Sequence, residues 1–421
     1  MKQRRLGRGV ALVGAGMSGF GAFPELTSRD LFVQAYLDML GSADRGISPA
    51  DIEAVYIGNY SSDLFEGQGH TAPIMTDWVG LSPLPSTRIE NACASGGAAL
   101  RQAILAVASG LYDVVLVGGI EKMTTLPTER VTDALATAGD VLYEIPAGFT
   151  FPGFYAAMAT AYMARYGATV DAFMAVTRKN HDNGALNPKA QFGARIADII
   201  QSKKKAAEKK GKPVPTWSDD LAFLHDDRAN PMIAWPMRLF DCSPISDGAA
   251  ALLVVAEDRA RSMNTTPLFI TGSGQSSDTA LHGRQDFTSI GAASRAAAEA
   301  YGMAGVTPGD IQLAEVHDCF TIAEIIATED LGLVGLGKGF RAAMDGVTRR
   351  NGKIPVNTSG GLKSKGHPVG ASGVGQVVEI WKQLRGEAGE RQVAGGPALG
   401  LTHNVGGTGQ TCVVHIFERR S

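Results

Sequence analysis

Residues 88–119, RIENACASGGAALRQAILAVASGLYDVVLVGG, decide the fold. A loop of small residues leads into a helical pattern whose apolar face is Leu100, Ala103, Ile104 and Val107, and Gly110 stands where a left-handed stop belongs. Val114 to Val117 then read as a strand without polar alternation, as expected in a sheet covered on both faces. Helix followed by fully buried strand is the unit of a layered α/β chain.

The same unit recurs on either side. IEAVYIGNY (52–60) is a second strand, and GVALVGAGMSGFGAFP (9–24) opens with a strand from Val10 to Val13 that runs into glycines. Gly14, Gly16 and Gly19 spell GxGxxG, yet no helix opens at the second glycine. The helical pattern starts near Thr27, where Thr27 and Asp30 have capping-box spacing, so a tight strand-to-helix loop is the preferred reading over a dinucleotide site. Strands alternating with amphipathic helices predict mostly parallel sheets with helices on both faces. Between about Thr124 and Trp235 the pattern changes to helical segments and the lysine-rich QSKKKAAEKKGKPVP (201–215). That run reads as a solvated helix face; attraction of an anionic, phosphate-bearing ligand is the sharper alternative.

Composition narrows the function. A chain of 421 residues exceeds one ordinary core. A formal charge of −3 gives no reason to expect nucleic acid or an anionic membrane as partner. Four scattered cysteines, Cys93, Cys242, Cys319 and Cys412, make neither a disulfide framework nor a CxxC metal pattern. The basic start MKQRR precedes an apolar run too short for a signal or a membrane span. The expectation is a soluble, cytoplasmic α/β protein.

Two segments echo each other in pattern, though not in identities: NACASGGAALRQAILAVASG (91–110) and GHPVGASGVGQVVEIWKQLRG (366–386). Each is a loop, a small-residue entry and an amphipathic helix. A duplicated half would bring the two helix starts, and hence Cys93 and His367, to one centre. At a helix N-terminus a thiolate would be stabilised, and an imidazole in reach would take the thiol proton. Gly96 and Gly97 would clear space beside Cys93, and Gly366, Gly370 and Gly373 would let a ligand approach near His367. In EVHDCF (315–320), His317 and Cys319 lie two apart and would project to one side of an extended segment, as an oxyanion donor and a proton shuttle; Asp318 reads as the cap of the following helix. THNVGGTG (402–409) reads as a glycine-rich turn in which His403 and the amides near Val405 and Gly406 could form a second oxyanion pocket. No metal site is expected. LYEIPAGFTFPGFY (142–155) offers Tyr143, Phe149, Phe151, Phe154 and Tyr155 either as acyl-pocket lining or as ordinary packing.

The ordered set NACASGGAAL, GGIEKM, SDGAAALLV, EVHDCF, GHPVGASG and HNVGGTG resembles the thiolases over nearly the full chain, and HDCF with HNVGG resembles the SCP2-type (sterol-carrier-protein-associated) branch, including benzoylsuccinyl-CoA thiolase. The resemblance implies an α/β thiolase fold: two duplicated βαβαβαββ halves in five layers, αβαβα, with an inserted loop domain. Residues 1–123 and 236–266 would form the N-terminal half, 124–235 the loop domain and 267–421 the C-terminal half, with no lipid-transfer module following. It further implies CoA-dependent cleavage of a 3-oxoacyl-CoA, or the reverse Claisen condensation, through acyl-Cys93. His367 would be the base and Cys319 the acid/base thiol. His317 with His367 would polarise the thioester oxygen. The Cys93 N–H and one from the Val405–Gly406 turn would hold the acyl oxygen, and His403 would replace the usual second cysteine. Tyr143, Phe149 and Phe151 would bind the acyl group. Coenzyme A is then a co-substrate with no permanent cofactor, a homodimer is expected, and some members take a small OB-fold/zinc-ribbon partner subunit. The alternatives are a retro-aldol lyase acting on a CoA thioester, a ketoacyl or hydroxymethylglutaryl-CoA synthase, and a non-catalytic acyl-CoA-binding subunit. Retention of both Cys93 and Cys319 argues against the lyase and the binding subunit, and HDCF against the synthases.

Overall fold

The computed structural model describes residues 4–420. Nine strands form one hydrogen-bonded series. Its first half runs Ser86–Ile89, Ala54–Gly58, Val114–Glu121, Gly248–Ala256, Val10–Met17, and its second Leu268–Ser277, Thr411–Arg419, Leu399–Gly406, Leu313–Glu315. The seam between the halves is short: Ala11 lies opposite Phe269 and Leu12 opposite Leu268.

The sheets are mixed rather than mostly parallel. Only Ala54–Gly58 with its two neighbours, and Leu313–Glu315 with Leu399–Gly406, pair in parallel. Gly248–Ala256 returns antiparallel between Val114–Glu121 and Val10–Met17, and the last two strands form a hairpin. Helix–strand alternation predicts covered faces, which are present, but it does not fix strand direction where the chain leaves and re-enters the sheet.

Side-chain alternation shows why there are five layers. On Gly248–Ala256, Ala250, Leu252 and Val254 enter the inner core, while Ala249, Leu253 and Val255 meet Leu31, Phe32 and Met39 of the outer helix Ser28–Gly41. On Val10–Met17 a β-bulge between Leu12 and Gly14 shifts the parity, so that Val10, Leu12, Ala15 and Met17 all point inward. In the second sheet Leu268, Ile270 and Phe417 face the same inner core, whereas Leu401, Val414 and Ile416 face the helix Gly291–Ala304. Between the sheets lie the cysteine helix, Ser95–Ala108, and the histidine helix, Val369–Arg385. Helix, sheet, helix pair, sheet and helix therefore stack in that order.

Two glycine clusters do something other than the sequence reading assigned. The first strand continues through Gly14 and Gly16 to Met17 instead of breaking into a loop. A Cβ on Gly16 would lie 2.1 Å from the Met39 nitrogen, so these glycines let the outer helix touch the strand backbone. That helix does open on the Thr27–Asp30 capping box. At the centre, a Cβ on Gly96 would meet the Gly370 carbonyl at 2.7 Å, and one on Gly373 the Gly97 nitrogen at 2.5 Å. Gly96 and Gly373 thus clear room for the opposite helix, Gly97 for Asn404 and Gly370 for the backbone of Gly58, Asn59 and Ile120, rather than for a ligand. The close crossing holds both helix starts at one place.

The stretch 124–235 contributes the helices Phe151–Tyr166, Val170–Gly184 and Ile196–Lys209. Phe154, Tyr155, Tyr162 and Phe173 pack into the outer core of the second half with Ile322 and Ile326. Lys203, Lys205, Lys209 and Lys210 are exposed, as a solvated helix face requires.

Candidate active site

Cys93 is delivered by a tight turn. Ala92 takes a left-handed backbone (φ 49°), and Ala94 and Ser95 donate back to Asn91 (2.9 Å) and Ala92 (3.1 Å), so the chain passes from Cys93 straight into the cysteine helix. A non-glycine residue held there costs on the order of 1 kcal/mol or more. The thiol is buried, which pushes it up to about 12; N–H groups of Gly407 and of Cys93 itself point at the sulfur and oppose that rise, whereas Glu121 and Glu90 add to it. Helix position therefore does not make a resting thiolate, because loss of water outweighs the partial charge of the helix end. At rest Cys93 is a neutral thiol.

His367 precedes the histidine helix and is pinned at both ends. Its backbone N–H donates to Ser246 Oγ (2.8 Å) and its Nδ1 lies 2.6 Å from Ser372 Oγ. The Ser372 hydroxyl donates to the Pro368 carbonyl at 2.9 Å, so it must accept from Nδ1–H. His367 Nε2 is left with its lone pair. Burial lowers this imidazole to about 3, so it is neutral and free to take a proton.

His317 has the opposite tautomer. The Asn404 side-chain amide donates to His317 Nδ1 (3.2 Å) and to the Cys93 carbonyl (2.9 Å), while its oxygen accepts from Gly97 N–H (3.1 Å). With Nδ1 accepting, the hydrogen sits on Nε2, which is buried and has no partner among the described residues. Burial, with His367 and His403 nearby, keeps His317 well below its ordinary value and neutral. The two imidazoles lie 5.0 Å apart at 83°. Cys93 Sγ and one nitrogen of each ring fall within 4.8 Å of one another. Those are ligand types for zinc, but both the Cys93 thiol and the His317 Nε2–H would have to lose a proton first.

Cys93, Cys319 and His367 line a cavity of about 150 Å³ with apolar walls from Met123, Leu135, Phe151, Ile245 and Val369, and His317 lies beside His367 just behind that lining. Cys319 is buried, and burial holds its thiol well above the ordinary value. Asp318 beside it accepts Leu362 N–H (2.6 Å), so it caps the segment before His367 rather than the helix that follows it in sequence.

Other predicted residues are elsewhere. His403 stands behind His317, accepting its backbone N–H at 3.3 Å, and does not line the cavity. His403, Val405 and Gly406 belong to the strand Leu399–Gly406, with Val405 in the outer core. The turn begins one residue later than read, at Gly407, whose N–H is the one that faces Cys93. Tyr143 is 67% exposed, against His282, and Phe149 is 36% exposed, stacked on Phe154; of the three acyl-binding residues expected, only Phe151 reaches the cavity.

Sequence reasoning quoted GGIEKM without a task for Glu121. That buried carboxylate accepts Asn59 Nδ2 (3.0 Å) and the backbone N–H groups of Tyr60 (2.8 Å), Ser61 (3.0 Å) and Gly370 (2.9 Å). It ties the loop after Ala54–Gly58 to the first turn of the histidine helix. Burial raises it to about 7 against the pull of those donors.

A thiol and an imidazole lone pair at one apolar cavity, with a second imidazole N–H close to both, suit acyl transfer through an enzyme-bound thioester. The relatives agree. Residues 10–258 match the family model "Thiolase, N-terminal domain" and residues 273–419 match "Thiolase C-terminal domain-like". The chain belongs to the thiolase superfamily, and it is an acyltransferase of the acyl-CoA thiolase type. It is 46% identical over 413 residues to an acetyl-CoA acetyltransferase of Methanothermobacter thermautotrophicus, covering 98% of this chain and 100% of that one. It is 31% identical to the benzoylsuccinyl-CoA thiolase subunit BbsB of Thauera aromatica, over 96% of each chain. Among solved structures, an Ltp2-ChsH2(DUF35) aldolase superposes with a TM-score of 0.78 at 24% identity, covering 98% of both chains. Among the described residues, no helix is long and apolar enough to cross a membrane.

Proposed function

We propose that the protein interconverts acetoacetyl-CoA plus CoA with two acetyl-CoA, or acts on a similarly short 3-oxoacyl-CoA. Cys93 attacks the 3-carbonyl and its proton passes to His367 Nε2. The alkoxide is held by the N–H groups of Cys93 and Gly407. Cleavage of the C2–C3 bond leaves acyl-Cys93 and a CoA enolate whose oxygen accepts a hydrogen bond from the His317 Nε2–H, while Cys319 S–H gives the one proton needed at C2. The proton on His367 restores the Cys319 thiol; coenzyme A then attacks acyl-Cys93, and its thiol proton passes through His367 Nε2 to the Cys93 sulfur as that sulfur leaves. The observation that carries this reading is the convergence of Cys93, His317 and His367 within 4.8 Å at a cavity that Cys319 also lines.

The cavity supports a short acyl group, since about 150 Å³ of apolar space matches a guest of roughly benzene size. The division into an N-terminal half (1–123 and 236–266), a loop domain (124–235) and a C-terminal half (267–421) is part of the same proposal. So are a cytoplasmic homodimer and a small OB-fold/zinc-ribbon partner. The partner is favoured by two of the similar proteins, a thiolase subunit from Thauera and the Ltp2-ChsH2(DUF35) aldolase. The test is thiolysis of a 3-oxoacyl-CoA series from four to ten carbons. The expected result is kcat/KM highest for acetoacetyl-CoA and falling with each added pair of carbons; a maximum at a long or aromatic acyl group would overturn the short-chain reading.

A further inference from the structure

Tyr155 sets a phenol beside both thiol centres. It comes from the helix Phe151–Tyr166, is fully buried, and stacks on Phe320 with ring centroids 4.6 Å apart at 22°. Its phenol donates to the Gly407 carbonyl at 3.3 Å and is close enough to the Cys319 thiol for each to act on the other's ionisation. Gly407 is also the residue whose N–H faces Cys93. The phenol hydrogen is on the Gly407 carbonyl in this structure, with the Cys319 sulfur nearby as a second acceptor once it ionises.

Which acceptor it serves depends on Cys319. While Cys319 is a thiol, a weak acceptor, the phenol donates to the Gly407 carbonyl. As a thiolate, Cys319 only accepts, and the phenol O–H turns to it. We propose that Tyr155 is the positioning residue of Cys319, moving its O–H from the Gly407 carbonyl to the sulfur as Cys319 gives its proton to the substrate α-carbon, and back as it regains one. The proposal rests on the acid/base role assigned to Cys319. It is balanced: one proton passes between Sγ and C2, and Tyr155 keeps its own. Burial holds the phenol well above its ordinary value, so it acts as a donor and not as the acid. The Arg284 guanidinium, whose buried nitrogens have no hydrogen-bond partner among the described residues, is close enough to act electrostatically on Tyr155 and adds positive potential at the phenol. The contact also gives the segment 124–235 a direct hold on the chemistry.

The test separates two steps on the full chain, with acetyl-CoA as probe. Acetylation of Cys93 is followed by rapid quench and mass spectrometry, and Cys319-dependent chemistry by deuterium wash-in to the acetyl-CoA methyl group in D2O. Tyr155→Phe keeps the ring and its stack. It is expected to acetylate within about threefold of wild type with KM unchanged, while wash-in falls about tenfold or more. Wild-type wash-in in Tyr155→Phe, or an equal fall in both steps, overturns the proposal. Site-specific 3-fluorotyrosine at position 155, a stronger donor of nearly the same size, should keep wash-in at or above the wild-type rate; a fall to the Tyr155→Phe level also overturns it. Cys319→Ala identifies the other way to fail: undiminished wash-in there removes Cys319 from the reaction, and the Tyr155 proposal with it.

Discussion

Ser372→Ala should damage the first half-reaction through a proton that never leaves His367. In the structure the Ser372 hydroxyl is spent on the Pro368 carbonyl, so its oxygen is the acceptor that keeps the imidazole hydrogen on Nδ1, 2.6 Å away. Alanine deletes that acceptor in a site where Ser372 is 1% exposed, and little room exists for water to replace it. Leaving Nδ1–H buried and unpaired costs about 1–3 kcal/mol, which the ring avoids by moving the hydrogen to Nε2. That tautomer has no lone pair facing the cavity. A shift of about 1.4–2.8 kcal/mol reduces the competent form roughly 10- to 100-fold. Acetylation of Cys93 by acetyl-CoA, measured by rapid quench and peptide mass spectrometry, should slow by that factor. KM should hardly change, because Ser372 does not line the cavity. Wild-type acetylation by a folded Ser372→Ala protein would show that the serine does not set the tautomer, and the assignment of His367 Nε2 as base would lose its structural support.

Three further outcomes follow from the geometry. Gly370→Ala should destabilise the fold strongly, by about 3 kcal/mol or more, because its Cβ would meet backbone atoms of Asn59, Gly58 and Ile120 at 2.7 Å; denaturant unfolding checks this. Glu121, raised by burial from 4.5 to about 7, binds its proton more tightly folded than unfolded, so its contribution to stability is full below about 4.5 and is lost as pH rises through 7. Glu121→Gln should therefore flatten the decline in stability between those pH values, while lowering overall stability through the backbone N–H groups it strands; unfolding curves across that pH range measure both. Phe151→Ala, which opens the cavity wall, should raise kcat/KM for a six-carbon 3-oxoacyl-CoA relative to acetoacetyl-CoA, read in a thiolysis assay.

Much of this was legible in residues with strong local rules. The Thr27–Asp30 box starts its helix where it should, the 88–119 stretch gives the cysteine helix and the buried strand, and Cys93, His317, Cys319 and His367 meet at one place. What failed depended on partners distant in sequence. Gly16 looks like a loop residue until Asp38 and Met39 are laid against it, and Gly96 and Gly97 look like a ligand cradle until the histidine helix and Asn404 are in place. The amide facing Cys93 belongs to Gly407 and not to Val405 or Gly406, because the strand extends to Gly406, a boundary no local pattern marks. A resting thiolate at Cys93 followed from counting the helix end alone; burial, the larger effect, is a property of the assembled layers. Asn404 lay within the quoted HNVGG, but its three hydrogen bonds, which set the His317 tautomer, join strands and helices from both halves.

The central claim is that Cys93 carries the acyl group. Mass spectrometry of the protein mixed with acetyl-CoA tests it most directly. A mass gain of one acetyl group on the Cys93 peptide, discharged by free coenzyme A and absent from Cys93→Ala, is the predicted result. Turnover of acetoacetyl-CoA by a Cys93→Ala protein, or an acetyl group found only on another residue, would contradict it.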